Sequence, residues 1–264
     1  MDELDSFYAH AKDLAGACLR NDYLTCTSFL GFSLQSAFAN KLASDGRSLS
    51  RPFGAEGFFY GGYPEAERKI LVFLPSYLGQ EDVLASEEGD LQPLSCLHIA
   101  PKSEKFASKM GHRDYLGALL GLGIERERIG DILVGENDAY VYVKKENADF
   151  IVSSLKEVGR NKVIVQKAGL LSCPYRPEME ERSFSVTSPR LDAILSGAFH
   201  LSREQAKEEI EAGNVFCTSA PSRVDAHPKT GEHISLRGKG KFLYLGEAGT
   251  SKKGKAIVRI KIPK

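Results

Sequence analysis

Apolar residues recur at spacings of three and four from the start of the chain, where Leu4, Phe7, Ala11, Leu14 and Cys18 mark one face of a helix. A second apolar stretch, Tyr23 to Leu42, predicts helix over part of its length. Gly61-Gly62-Tyr63-Pro64 has the composition of a turn, and a strand over Lys69–Leu74 follows it and ends at Pro75. From Leu94 the pattern alternates. Strands are predicted over Leu94–Ile99, Ile129–Val134, Ala139–Val143 and Lys162–Gln166. Helices are predicted over His112–Leu122, stopped by Gly123, and Ala148–Val158, stopped by Gly159. This βαββαβ order predicts a ferredoxin-like (RRM-like) sandwich with its helices on one sheet face.

Cys173-Pro174-Tyr175-Arg176-Pro177, followed by Glu178 to Arg182, has the prolines and charge of a linker. Beyond it Pro189 opens a helix that runs from Arg190 to Leu195. Ser202-Arg203-Glu204-Gln205 is a capping box for the next helix, which Gly213 closes. The remainder reads as β, over Val215–Thr218, His233–Arg237, Lys241–Leu245 and Ala256–Ile262. The expected class is α+β in three parts: a mostly helical N-terminal region (1–90), a ferredoxin-like middle domain (91–170) and, after a linker (171–183), a C-terminal domain (184–264).

At 42% apolar and 27% charged, the 264 residues have ordinary globular composition. Apolar runs such as Ile70–Leu74 are too short to span a bilayer, so no membrane partner is expected. Met1-Asp2-Glu3-Leu4-Asp5 is acidic where a secretory leader is basic, which predicts a cytoplasmic protein. The five cysteines are scattered, odd in number and never in a C-x-x-C pair, so they read as reduced thiols rather than zinc ligands or disulfides. The histidines show no metal-ligand spacing. No cofactor is expected.

The net charge of zero hides an asymmetry. From Phe184 onward 14 Lys plus Arg face 8 Asp plus Glu, a net +6, so the preceding segment carries −6. A basic end of this kind suits a polyanion. Arg203 and Lys207 stand four apart on the capped helix and share a face. In Arg237-Gly238-Lys239-Gly240-Lys241 alternation places the three cations on one side of an extended chain, with glycines that let a phosphate approach. Lys252, Lys253 and Lys255 form a further basic turn. Together they predict RNA binding that weakens steeply with salt.

Ser188-Pro189-Arg190-Leu191-Asp192-Ala193-Ile194-Leu195, Leu201-Ser202-Arg203-Glu204-Gln205-Ala206 and Ile210-Glu211-Ala212-Gly213-Asn214-Val215 resemble the S4 RNA-binding domain. That resemblance implies RNA contact at Arg190, Ser202, Arg203 and Lys207. The chain departs from the pattern at Val215-Phe216-Cys217-Thr218-Ser219, where many members have a Val-Asn-Gly-like turn. Further upstream, Gly61-Gly62-Tyr63-Pro64-Glu65-Ala66-Glu67-Arg68, the segment His112 to Ile124 and Ile129-Gly130-Asp131-Ile132 resemble the YlmH family of bacterial and plastid S4 proteins. Ser235 to Phe242 extends the match towards the C-terminus. The resemblance implies ribosome-associated quality control. In that role the S4 domain holds rRNA and tRNA on large ribosomal subunits that still carry peptidyl-tRNA. Other members are connected with cell division or photosystem assembly, which would make the acidic N-terminal part a protein-binding surface.

An enzyme is not expected. His112-Arg113-Asp114 begins like a kinase catalytic loop, but Leu119 stands where the loop's Asn belongs. Asp114 instead suits a helix start. Gly121-Leu122-Gly123 lacks the third glycine of a dinucleotide loop. RNA-modifying enzymes that carry an S4 domain usually place it first and follow it with catalytic motifs absent here. Tyr140 and Tyr142 point away from the face of Val141 and Val143; in so acidic a part they are expected to pack on the N-terminal region rather than stack bases.

Overall fold

The computed structural model describes residues 3–86, 89, 91–175, 179–217, 222–251 and 253–263. The chain divides into two compact units, not three consecutive parts: Met1–Gly31 with Arg47–Arg176, and Phe32–Gly46 with Pro177–Lys264. In chain order the first half contributes α1 (Glu3–Asn21), β1 (Thr25–Cys26), α2 (Phe32–Ser44), β2 (Glu56–Tyr60), β3 (Ile70–Leu74), α3 (Gln80–Ala85) and β4 (Leu94–Pro101). Then come α4 (His112–Gly121), β5 (Ile129–Val134), β6 (Ala139–Lys144), α5 (Lys145–Ser154), β7 (Glu157–Val158) and β8 (Asn161–Ala168). The C-terminal part holds β9 (Met179–Val186), α6 (Leu191–Phe199), α7 (Arg203–Glu211), β10 (Val215–Cys217), β11 (Glu232–Leu236), β12 (Gly240–Thr250) and β13 (Ala256–Pro263).

The first unit is built on an antiparallel sheet of order β5-β6-β4-β8-β7. Alternation along its strands sorts two cores. Leu97, Ile99, Val141 and Val143 face Tyr115 and Leu119 of α4 and Ile151 of α5. On the opposite face Cys96 and Tyr142 join Phe58, Tyr60, Ile70 and Val72 of a second sheet, of order β1-β3-β2. All five residues of β3 are buried, as a strand covered on both faces requires. The first ninety residues are therefore not a separate helical region, because much of their apolar surface is buried in a core shared with the larger sheet. The helix expected to reach Val158 ends at Ser154; Leu155 turns extended, and Val158 pairs with Asn161 in a hairpin around Gly159.

Two of the sequence motifs meet in this unit. The Asp131 carboxylate accepts from Tyr63 Oη at 2.8 Å, Glu67 N at 2.7 Å and Arg68 N at 3.1 Å. Arg68 in turn donates to the carbonyls of Ile129 at 3.0 Å and Phe29 at 3.1 Å. These contacts fix the Gly61–Arg68 turn against β5, so both motifs are used to hold the fold.

The second unit is an antiparallel sheet of order β10-β11-β12-β13-β9. β9 takes up the last part of the segment expected to be a linker, from Met179 to Ser183. Its residues pair along β13 from Ala256↔Val186 to Pro263↔Met179, with Arg259 meeting Glu181 diagonally between the two strands. The charges that suggest a linker thus lie on a strand with an exposed face. Gly197 of α6 sits against Phe184 so closely that a Cβ there would lie 2.2 Å from the ring. From far upstream, α2 packs on β10, and Ser36 Oγ donates to Cys217 O at 2.5 Å.

Candidate nucleic-acid interface

α6 and α7 converge on one carboxylate. Asp192, in the first turn of α6, has only 7% of its side chain exposed. Its Oδ2 accepts from Arg203 Nη2 at 2.6 Å and Nε at 3.2 Å. Arg190 Nε donates to Oδ1 at 3.2 Å. Both arginines stay partly exposed, at 37% for Arg190 and 48% for Arg203. A guanidinium has five N–H donors, so each keeps several outward after binding Asp192. Two cations are thereby oriented side by side with much of their ordering cost met before a ligand arrives.

α7 starts as its sequence predicts. Ser202 Oγ accepts from Gln205 N at 3.0 Å and Gln205 Oε1 accepts from Ser202 N at 2.9 Å. The Ser202 hydroxyl is thus engaged as an acceptor in the cap, which leaves its O–H and one lone pair to meet a ligand. Lys207 is exposed one turn beyond Arg203, with Nζ 3.6 Å from Glu211 Oε1. Ala206 and Ile210 of the same helix are buried in the core of the unit.

The other basic residues are arranged differently from the expectation. Arg237, Gly238 and Lys239 form the turn between β11 and β12, with Leu236 paired to Gly240 and Gly238 at φ +76°. Arg237, Lys239 and Lys241 therefore do not share one side of an extended chain, because the chain reverses between them. The Arg237 guanidinium lies 5.6 Å from the centroid of the Phe216 ring. Lys239 is exposed at the tip. Lys241 is half-buried opposite Ser235 on β12, and burial pushes its ammonium below the usual lysine range. Lys253 is exposed in the turn between β12 and β13, and Lys252 lies outside the described residues.

In the first unit the aromatic face is mostly closed. Tyr142 is fully buried, its hydroxyl donates to Leu170 O at 2.7 Å, and its ring lies 4.8 Å from that of Tyr63. Tyr140 is half-buried, stacked on His98 at 4.6 Å and edge-on to Tyr175. Asp138 accepts from Tyr175 Oη at 2.5 Å and lies 2.7 Å from His98 Nε2. That hydrogen bond is the main reason the Tyr175 phenol is pushed up to about 12. His112 and Arg113 are exposed at the start of α4, where Asp114 accepts from Gly111 N at 2.7 Å.

Residues 94–171, which run from β4 to just past β8, match a family model described as a putative RNA-binding domain in YlmH. The chain is 32% identical over 203 residues to the ribosome-associated protein quality control protein P2 of Bacillus subtilis, covering 75% of this chain and 74% of that relative. The chain belongs to the YlmH family. Among solved structures it is similar to the cell division protein ylmH from Streptococcus pneumoniae, with a TM-score of 0.47 and 20% identity over 64% of this chain and 93% of the other.

In this YlmH-family chain, the side chain that sequence reasoning passed over is Asp192. It stands between the two arginines in the Arg190-Leu191-Asp192 motif, yet an acid is not sought in a basic site. Its signal was its place in the first helical turn, where a carboxylate is favoured and can also reach back to a cap. Among the described residues of this YlmH-family protein, no helix is long and apolar enough to cross a membrane.

Proposed function

We propose that this protein binds structured RNA, namely rRNA and tRNA, through its C-terminal unit as an S4 domain, and acts in ribosome-associated quality control. Its targets are large ribosomal subunits carrying peptidyl-tRNA. The observation that carries this reading is the pair Arg190 and Arg203 fixed on Asp192, beside the exposed Lys207. Preoriented guanidinium groups match phosphate geometry and stack on bases, which flexible lysines do less well. The name of the Bacillus subtilis relative supports the ribosome as the place of action. The order of the larger sheet in the first unit supports a ferredoxin-like domain there, with β5-β6-β4-β8 as its four strands. The protein acts as a binding factor rather than as an enzyme, in the cytoplasm.

The test is sedimentation with purified ribosomal subunits across a salt series, with and without peptidyl-tRNA. Comigration with large subunits that strengthens with peptidyl-tRNA and falls steeply with salt is the expected result. Comigration indifferent to tRNA argues for an assembly or storage role, and failure to bind ribosomes at any salt removes the proposal.

A further inference from the structure

Apart from Lys105, the basic residues of β4 through β8 fall into two groups. Arg126, Arg128, Lys144, Lys145 and Lys167 are all engaged within the unit. Arg126 donates to Ile129 O at 2.6 Å, Arg128 pairs with Glu125 and Glu146, and Lys167 pairs with Asp149 at 2.7 Å. Lys144 reaches Thr27 O at 3.1 Å, and Lys145 reaches Gly89 O at 2.8 Å. The second group is different. Lys102, Lys109, Arg113, Lys156, Arg160 and Lys162 are all exposed, and none makes an ion pair among the described residues.

The fold gathers that second group from two segments far apart in sequence. Asn161, itself 7% exposed, accepts from Ser108 N at 2.9 Å and donates to Ser108 O at 2.8 Å. Lys102 N donates to Lys162 O at 2.8 Å, and Val163 N to Lys156 O at 2.9 Å. The loop before α4 is thus tied to the β7–β8 hairpin. Together residues 102–114 and 156–162 bring seven Lys and Arg against three acids, Glu104, Asp114 and Glu157, although the chain up to residue 183 carries a net −6. One of the acids, Asp114, is occupied at Gly111 N.

We propose that this ridge, built from residues 102–113 and 156–162, is a second contact of the protein with the phosphate backbone of RNA. The inference rests on the RNA-binding reading above and adds a site to it. Both faces of the sheet are largely packed, one under α4 and α5 and the other against Phe58, Tyr60, Ile70 and Val72. An RNA strand therefore meets this domain at the end of the sheet rather than by stacking on Tyr142. The contact is with phosphates, since the cations are dispersed and flexible, and it adds affinity and salt dependence rather than sequence preference.

The test uses the full-length chain carrying Lys102→Gln, Arg160→Gln and Lys162→Gln together, with Arg203→Glu as a separate variant. Binding of unfractionated tRNA is followed by fluorescence anisotropy from about 50 to about 200 mM salt, a range over which phosphate contacts dominate affinity. Circular dichroism and thermal melting check that each variant folds. The ridge variant is expected to lose about tenfold in affinity, and its log–log salt slope to be shallower by about 2. In the wild type, ultraviolet crosslinks to tRNA are expected in peptides spanning 102–113 or 156–162. An unchanged slope and no such crosslinks, while Arg203→Glu still weakens binding, overturns the ridge and leaves the C-terminal reading standing. A weakened ridge variant beside an unaffected Arg203→Glu supports the ridge and moves the C-terminal reading aside. A wild type that binds neither tRNA nor ribosomal subunits overturns both.

Discussion

Asp192 and Arg203, eleven residues apart on successive helices, are joined by two hydrogen bonds to a single carboxylate oxygen, the shorter at 2.6 Å. An acid at the centre of a basic surface has two opposite effects on a polyanion. It subtracts a positive charge, and it fixes the geometry of the guanidinium groups that remain.

Asp192→Asn separates the two effects. If net charge alone governed binding, affinity for RNA would rise. We expect it to fall about three- to tenfold, because Arg190 and Arg203 become free to rotate and must be ordered on binding. The same change is expected to destabilise the C-terminal unit by about 1–2 kcal/mol, the exposure of both arginines holding the figure down. Anisotropy and chemical denaturation read the two quantities.

Charge reversal at Arg203 and Lys207 is expected to lower RNA affinity by more than about a hundredfold at physiological salt, since two attractive contacts become repulsive. Both side chains are partly exposed, at 48% and 56%, but reversal at Arg203 sets a second carboxylate beside buried Asp192, so the thermal transition should fall while the unit stays folded. Full affinity in a folded double variant would remove α7 from the interface.

Much of this was legible in the chain, and the reasons for the remainder are specific. Strands β4, β5, β6 and β8 were readable because each alternates or runs apolar between clear breakers. The Ser202–Gln205 capping box was readable because its chemistry is local. Long-range pairing was not. β9 reads as a linker because its charges are visible in sequence, while its partner β13 lies some seventy residues away. The basic run at Arg237 reads as an extended strand because alternation and a three-residue turn centred on Gly238 look alike until the pairing of Leu236 with Gly240 is known. The ridge at Lys102 and Lys162 was masked by averaging charge over an acidic segment.

Asp131 gives a pH prediction for the first unit. Burial, the largest influence, raises its carboxyl above the usual range in spite of the hydrogen bonds it accepts. The folded state therefore holds this proton to a higher pH than the unfolded chain does. Its contribution to stability is fully present below the unfolded value and declines as pH rises through the folded one. Comparing wild type with Asp131→Asn by denaturation from about pH 4 to pH 7 should show that slope flattened in the variant, beside an overall loss of about 1–3 kcal/mol from weakened bonds to Tyr63, Glu67 and Arg68.

Native-state alkylation should discriminate among the five thiols. Cys18, Cys96, Cys173 and Cys217 are buried, and burial pushes the Cys96 and Cys217 thiols up to about 12. Cys26 is only partly buried and lines a cleft of about 550 Å³. Iodoacetamide followed by mass spectrometry is expected to label Cys26 first, with the other four labelled at the rate of unfolding.

The contact between Ser36 and Cys217 also sets an order of events in the making of the protein. Helix α2 leaves the peptidyl-transferase centre about 170 residues ahead of β10, the strand it will pack against, a gap on the order of ten seconds at ordinary translation rates. Phe38 and Leu42, fully covered in the finished molecule, await part of their unit for that interval. A nascent chain interrupted after residue 176 would carry α2 with no sheet of its own unit to receive it.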